Sequence, residues 1–189
     1  MIILASASPR RSAILSAANI DHVVDAANVD ETPIPGEAPK AYAERLARAK
    51  AQAVAARHAD ATVIGADTVV VVDREILGRP VDAADARRML EQLSERDHVV
   101  LTAVAVARGG DVQSTVAETL VSMRRISGAE IADYVATGEP MDKAGAYAIQ
   151  GGAARFVEKI AGDFDNVVGL PLTVVRRLLS AVGESYPER

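Results

Sequence analysis

The feature that most constrains this chain is a pair of long strand-like runs, Val99–Ala107 and Val112–Met123, separated by Gly109-Gly110. Two strands of this length on either side of a two-glycine turn specify an antiparallel hairpin, because glycine supplies the positive φ that tight hairpin turns require. A hairpin this long needs partners on both flanks, so it serves as the spine of a larger sheet. The partners are legible too. Ile2–Leu4, His22–Val24, Thr62–Ala66, Val69–Val72, Glu75–Leu77 and a segment near Arg155–Ile160 all read as strand. Helical patterns alternate with them. Pro9 opens one at its first turn, a second runs from about Ala38 to His58 with Tyr42, Leu46, Ala49 and Ala53 as its buried stripe, and Asp82 caps a third that ends near Leu93. Ser127 and Glu130 form a capping box for a fourth helix closed by Gly138, and the last helix runs from Pro171 to about Val182. Helices alternating with strands around a central hairpin imply an α/β protein with a mixed sheet.

The 189 residues, 49% of them hydrophobic, suffice for one good core or two small lobes around a cleft. No repeat or low-complexity linker marks a domain boundary; the one Pro-rich stretch, ETPIPGEAP from Glu31 to Pro39, reads as a loop. A formal charge of -5 and an aromatic content of 3% argue against a broad nucleic-acid surface and leave room for a local basic pocket. The absence of cysteine removes disulfides, thiolate catalysis and cysteine zinc sites. No apolar run is long enough for a membrane span, and the first residues lack a leader pattern, so the expectation is a soluble, cytoplasmic protein.

Within this frame a few polar residues are out of place. In SASPRR, Arg10 and Arg11 fall in the first turn of a helix, where the unpaired amides already carry about half a positive charge and a cation costs about 0.3–1 kcal/mol. With Ser6 and Ser8 nearby, that end of the helix is a cradle for phosphate. In VIGADTVVVV, Asp67 interrupts an apolar stretch and reads in two ways: as part of a turn between two strands, or as a metal-holding or base carboxylate at a strand end, with Thr68 beside it. Asp30 and Glu31 are either ordinary loop acids or, for Glu31, a second ligand for a magnesium ion that takes one or two carboxylates plus phosphate oxygens. Lys50 follows Leu46 by four residues and so shares its inward helix face, whereas Arg48 projects elsewhere. Arg79 sits in a constrained Gly-Arg-Pro loop. GEPMDKAGAYAIQG, residues 138–151, is a loop built for close backbone approach, and Gln150 offers the donor and acceptor that suit a nucleobase edge. Asp163 and Asn166 in GDFDNVVGLPL read as turn residues. His22, His58 and His98 have no metal-ligand spacing, and the chain contains no GxxxxGK[ST], GxGxxG after a strand, HExxH or GxSxG pattern.

Taken in order, SASPRR, VDE, LARAKA, GADTVV, the Gly-Arg-Pro loop, GEPMDKAGAYAIQG and GDFDNVVGLPL resemble the Maf family of nucleoside triphosphate pyrophosphatases across almost the whole chain. Specifically, GADT and DKAGAYAIQG resemble its dTTP/UTP branch. The resemblance implies a two-lobed α/β fold akin to inosine triphosphatases with a central cleft, and often a homodimer. It implies hydrolysis between the α- and β-phosphates to a nucleoside monophosphate and pyrophosphate, with a divalent cation, Mg²⁺ or Mn²⁺. Ser6, Arg10, Arg11 and Lys50 match the family's phosphate-binding positions. Glu31 and Asp67 match its acidic metal or catalytic positions, with Asp67 as the usual proton acceptor, and Arg11, Thr68 and Gln150 match positions linked to base selectivity. Arg79 stands where the family often has lysine, which keeps the charge and changes its reach, and Ala148 where it often has glycine. The competing expectation is a non-catalytic nucleotide-sensing regulator of cell division, which would need the phosphate cradle but no carboxylate beside a metal.

Overall fold

The structure, a computed structural model, describes residues 1–184 together with Tyr186. Its strands are β1 (Ile2–Leu4), β2 (His22–Val24), β3 (Thr62–Val72), β4 (Glu75–Leu77), β5 (Asp97–Arg108), β6 (Asp111–Met123) and β7 (Val157–Ala161). Its helices are α1 (Pro9–Ala17), α2 (Pro39–Ala55), α3 (Ala83–Leu93), α4 (Gly128–Ala136), α5 (Phe164–Val168) and α6 (Leu172–Ala181), with three short 3-10 turns between α4 and β7. The seven strands pair in the order β2-β1-β3-β5-β6-β7, with β4 on β3. β1 runs parallel to β2 and β3, while β4 and β7 pair antiparallel with β3 and β6, so the sheet is mixed as expected. The β5–β6 hairpin turns at Gly109 and Gly110, both at positive φ.

The chain divides into two compact units, one comprising residues 1–67, 102–117 and 169–189, the other residues 68–101 and 118–168. In the first unit, alternation along β3 decides what packs where. Ile64 and Ala66 join Ile2, Leu4, Leu15, Ile20, Val175, Leu178 and Leu179 in a core against α1 and α6. Gly65 points the other way, and a Cβ there would lie 2.3 Å from the Ala47 carbonyl oxygen and 2.7 Å from the Ala51 amide nitrogen. Helix α2 therefore rests directly on the backbone of β3. The buried stripe of α2 is Ala43, Leu46, Ala47, Lys50, Ala51 and Val54. This corrects the stripe read from sequence: of its four members only Leu46 is fully buried, because contact against Gly65 selects the alanine-lined side of the helix over the Tyr42 side.

In the second unit, Asp82 accepts a hydrogen bond from the Asp85 amide at 2.8 Å to start α3, and Ser127 and Glu130 form the expected capping box of α4. Its core includes Val70, Leu77, Leu90, Leu93, Ile131, Tyr134, Tyr147 and Phe156. His98 is buried, with Nε2 2.7 Å from the Tyr147 hydroxyl and the two rings edge to face. Two local expectations fail. Thr62–Ala66 and Val69–Val72 are not separate strands but one, β3, running through Asp67 without a turn. Asn166 is not a turn residue: it lies in α5, fully buried, and its amide donates to the Val100 carbonyl at 3.0 Å and to Thr119 Oγ1 at 2.9 Å.

Candidate active site

Four elements of the first unit deliver the site. Strand β1 ends at Leu4 and Ser6 follows, buried, before α1 begins at Pro9. The first turn of α1 contains no acidic residue and Ser8 makes no side-chain cap, so its amide dipoles are not offset by local anions. Arg11 turns back from that helix: its Nη1 donates to Ser6 Oγ at 3.0 Å and to the Ala66 carbonyl at 2.9 Å, and its Nε donates to the Gly169 carbonyl at 2.8 Å. These three acceptors are neutral and orient the guanidinium. Arg10, on the same turn, is half-buried and has no hydrogen-bond or ion-pair partner among the described residues.

The acidic part of the site is organised by α2. Lys50 Nζ lies 2.7 Å from Asp67 Oδ1 and 2.7 Å from Glu31 Oε1. Lysine and aspartate are both buried, and the glutamate is about half exposed. Gly65 and Asp67 are two apart on β3, so their side chains share the face on which α2 rests, and the close approach at Gly65 is what brings Lys50 to Asp67. The Pro-rich loop is tied to the same helix. Tyr42 donates from its hydroxyl to the Glu31 carbonyl at 2.9 Å, and Arg45 donates to both oxygens of Glu37 at 2.7 Å and to the Thr32 carbonyl at 3.2 Å. These two anchors were missed in the sequence, where Tyr42 read only as packing. Their signal was the i, i+3 spacing of Tyr42 and Arg45, which places both on one helix face beneath the loop.

Burial pushes the Asp67 carboxyl above the usual aspartate range; the Lys50 and Arg11 charges pull it back, and Glu31 adds to the upward push. The result is an ionisable oxygen that is a better proton acceptor than a surface carboxylate, held beside two cations. Two carboxylates meeting at one ammonium also fit a hard divalent ion, which is satisfied by one or two carboxylates when phosphate and water complete its shell. Among the described residues no cluster of three or more His, Cys, Asp and Glu side chains is placed to hold a metal.

The remaining expected residues belong to the second unit. Thr68 follows Asp67 on β3, so the two side chains leave the strand on opposite faces and do not sit side by side. Arg79 is exposed just after β4. Its neighbour Gly78 accepts a hydrogen bond from Gly145 at 3.0 Å, which joins the Arg79 loop to the glycine-rich loop. Gln150 is exposed at the third position of a turn closed by the Gly151 amide donating to the Ala148 carbonyl at 3.0 Å.

A mixed sheet carrying helices, with a lysine gripping two carboxylates and an arginine-bearing helix start in the same unit, defines an α/β protein equipped to meet a polyanion. The fold is similar to that of the Ham1 protein of Staphylococcus aureus, with a TM-score of 0.51 at 15% identity over 96% of each chain. The chain belongs to the Maf family, whose Maf-like protein profile matches residues 1–182. It is 52% identical over 183 residues to the dTTP/UTP pyrophosphatase of Koribacter versatilis, covering 96% of this chain and 94% of that one. It is 48% identical over 189 residues to the dTTP/UTP pyrophosphatase of Myxococcus xanthus, covering 100% and 96% respectively.

Proposed function

We propose that this protein hydrolyses nucleoside triphosphates, dTTP and UTP in preference, at the bond between the α- and β-phosphates. The products are the nucleoside monophosphate and pyrophosphate. The observation that carries the reading is the buried Lys50–Asp67 pair, extended to Glu31, in the same unit as the Arg11-bearing start of α1. Relatives at about half identity over nearly their full length, named dTTP/UTP pyrophosphatases, support the same substrate class.

The chemistry follows from charge. A triphosphate brings a dense array of negative oxygens, and the free amides of α1 with Ser6, Arg10 and Arg11 supply donors for them. The electrostatic cost of placing two arginines at a helix start is recovered when the anion arrives. Lys50 pulls Asp67 toward its ionised form and adds a third cation. Asp67 accepts a proton from water as its oxygen bonds to the α-phosphorus and the bond to the bridging oxygen of the β-phosphate breaks. The pyrophosphate leaves with the negative charge that the basic side chains stabilise. Glu31 and Asp67 would hold Mg²⁺ or Mn²⁺, which when bound supplies Lewis acidity and neutralises phosphate oxygens. Arg79 is assigned to the phosphates and Thr68 and Gln150, with Arg11, to base selection. A homodimer and a cytoplasmic setting are part of the same reading, and no helix among the described residues is long and apolar enough to cross a membrane.

The test is to incubate the purified protein with a panel of nucleoside triphosphates and Mg²⁺ or Mn²⁺ and to identify the products. Monophosphate and pyrophosphate from dTTP or UTP support the reading. Release of orthophosphate reassigns the bond that is cut, and tight binding without any product makes the protein a nucleotide sensor.

A further inference from the structure

The segment that carries Gln150 is held by two hydrogen bonds outside the catalytic groups. Tyr134, at the buried end of α4, accepts from the Ala148 amide at 3.0 Å through its hydroxyl, and the nearby Glu139 carboxylate helps push that hydroxyl's pKa up. Glu139 Oε2 in turn accepts from the Gly152 amide at 2.9 Å. Ala148 and Gly152 lie two residues before and two residues after Gln150, so one Tyr–Glu pair grips both sides of the turn. The glycines are required by this grip. A Cβ on Gly151 would lie 2.1 Å from Glu139 Oε1, and one on Gly152 would press the Tyr134 ring at 3.3 Å. The Tyr134 ring is 1% exposed and packs edge to face on Phe156 with centroids 5.5 Å apart, so the anchor itself does not move. Burial and the neighbouring carboxylate push the hydroxyl up, so it stays protonated while it accepts from the backbone.

We infer that Tyr134 and Glu139 are positioning residues for base selectivity: they fix the Ala148–Gly152 turn so that the Gln150 amide is presented in one place. A side chain on an unsupported turn samples many positions and reads hydrogen-bond patterns poorly, whereas a held one loses little entropy on contact. The inference rests on the assignment of Gln150 to the nucleobase and goes beyond it by naming what makes that contact selective.

The experiment measures kcat and KM for dTTP and dCTP with Mg²⁺ on the wild type, on Gln150→Ala, on three variants that loosen the grip by different means, Tyr134→Phe, Glu139→Gln and Gly151→Ala, and on the double variant Tyr134→Phe/Gln150→Ala. Hydrogen exchange at the Ala148 and Gly152 amides is followed alongside. Each single loosening variant should lower the dTTP-to-dCTP ratio of kcat/KM by about fivefold or more, through KM for dTTP, with kcat within about twofold of wild type. Amide protection at 148 and 152 should fall, and in the Gln150→Ala background Tyr134→Phe should change the ratio no further. A ratio that collapses in Gln150→Ala but survives in all three loosening variants overturns the positioning role alone. A wild type without preference for dTTP, or a ratio indifferent to Gln150→Ala, overturns the assignment of Gln150 to the base and the positioning role with it.

Discussion

Lys50 and Asp67 meet at 2.7 Å although they come from different elements, a helix and a strand, and both are buried. A buried pair of this kind gains little over a well-packed apolar pair, yet losing one partner strands a charge at a cost of about 3–5 kcal/mol. Its value lies in what it prepares. Lys50 pulls the buried Asp67 carboxyl toward its ionised form on the strand face under α2, against the upward push of burial, and it also grips a second carboxylate, Glu31.

Asp67→Asn is expected to reduce kcat by about 10²–10⁴-fold, the usual contribution of a positioned general base, with a much smaller change in KM. Steady-state kinetics on dTTP measure both. The upward push on the Asp67 carboxyl sets the sign of two pH effects. Turnover requires the ionised form, so the acid limb of the kcat/KM profile lies above the ordinary aspartate range. The native state binds this proton more tightly than the unfolded chain, so the contribution of Asp67 to stability is fully present below its unfolded pKa and is lost as pH rises through the folded value.

Arg11→Ala is expected to lower kcat/KM at least about tenfold, equivalent to about 1.4 kcal/mol of transition-state stabilisation. Arg11→Lys should recover little of it. Arginine is oriented here by Nε and Nη1 donating to Gly169, Ala66 and Ser6, a fork that one ammonium group does not reproduce. Unchanged kinetics in Arg11→Ala would remove the phosphate role of the α1 start.

Gly65→Ala tests the packing that aligns the site. Its Cβ meets the backbone of α2 at Ala47 and Ala51, which has no flexible side chain to give way. The expected cost is about 1–3 kcal/mol in chemical denaturation, with a loss of activity larger than the loss of folded protein at the assay temperature. Full activity at full stability would show that Lys50 reaches Asp67 without this contact.

His98 makes acid stability titratable independently of the active site. Burial lowers its pKa to about 4, and its Nδ1 has no hydrogen-bond partner among the described residues. For a base whose folded pKa lies below its unfolded value near 6.5, the stabilisation is complete above 6.5 and is lost as pH falls toward 4. The loss is on the order of 3 kcal/mol at most. Denaturation midpoints between pH 4 and pH 7 should fall in the wild type and flatten in His98→Phe. Parallel curves for the two proteins would assign the acid sensitivity to other groups.

What could be read along the chain was what short-range chemistry dictates. Pro9 at a helix start, Asp82 and Ser127 as caps, and Gly109-Gly110 as a hairpin turn act within a few residues, so pattern and structure agree there. The same locality put Lys50 on the inward face of α2 and Arg11 in the first turn of α1. Where two local outcomes were equally compatible with the residues, a distant surface chose between them. GAD has the composition of a turn, yet it continues β3: α2 rests on Gly65, and Lys50 supplies the cation that a buried Asp67 needs. Asn166 reads as a turn residue until the Val100 carbonyl and Thr119 offer it partners in the interior.

The sequence by itself determined most of the helices and strands, the residue types able to bind a polyanion and a hard cation, and the family to which the chain belongs. Only the tertiary structure decided that Glu31 and Asp67 share one ammonium, that Arg11 is oriented by three neutral oxygens, and that Tyr134 and Glu139 brace the turn of Gln150. The physical reason is range: caps, turns and periodicity act over a few residues, whereas ion pairs and packing act across space between residues whose separation in sequence carries no record of their distance.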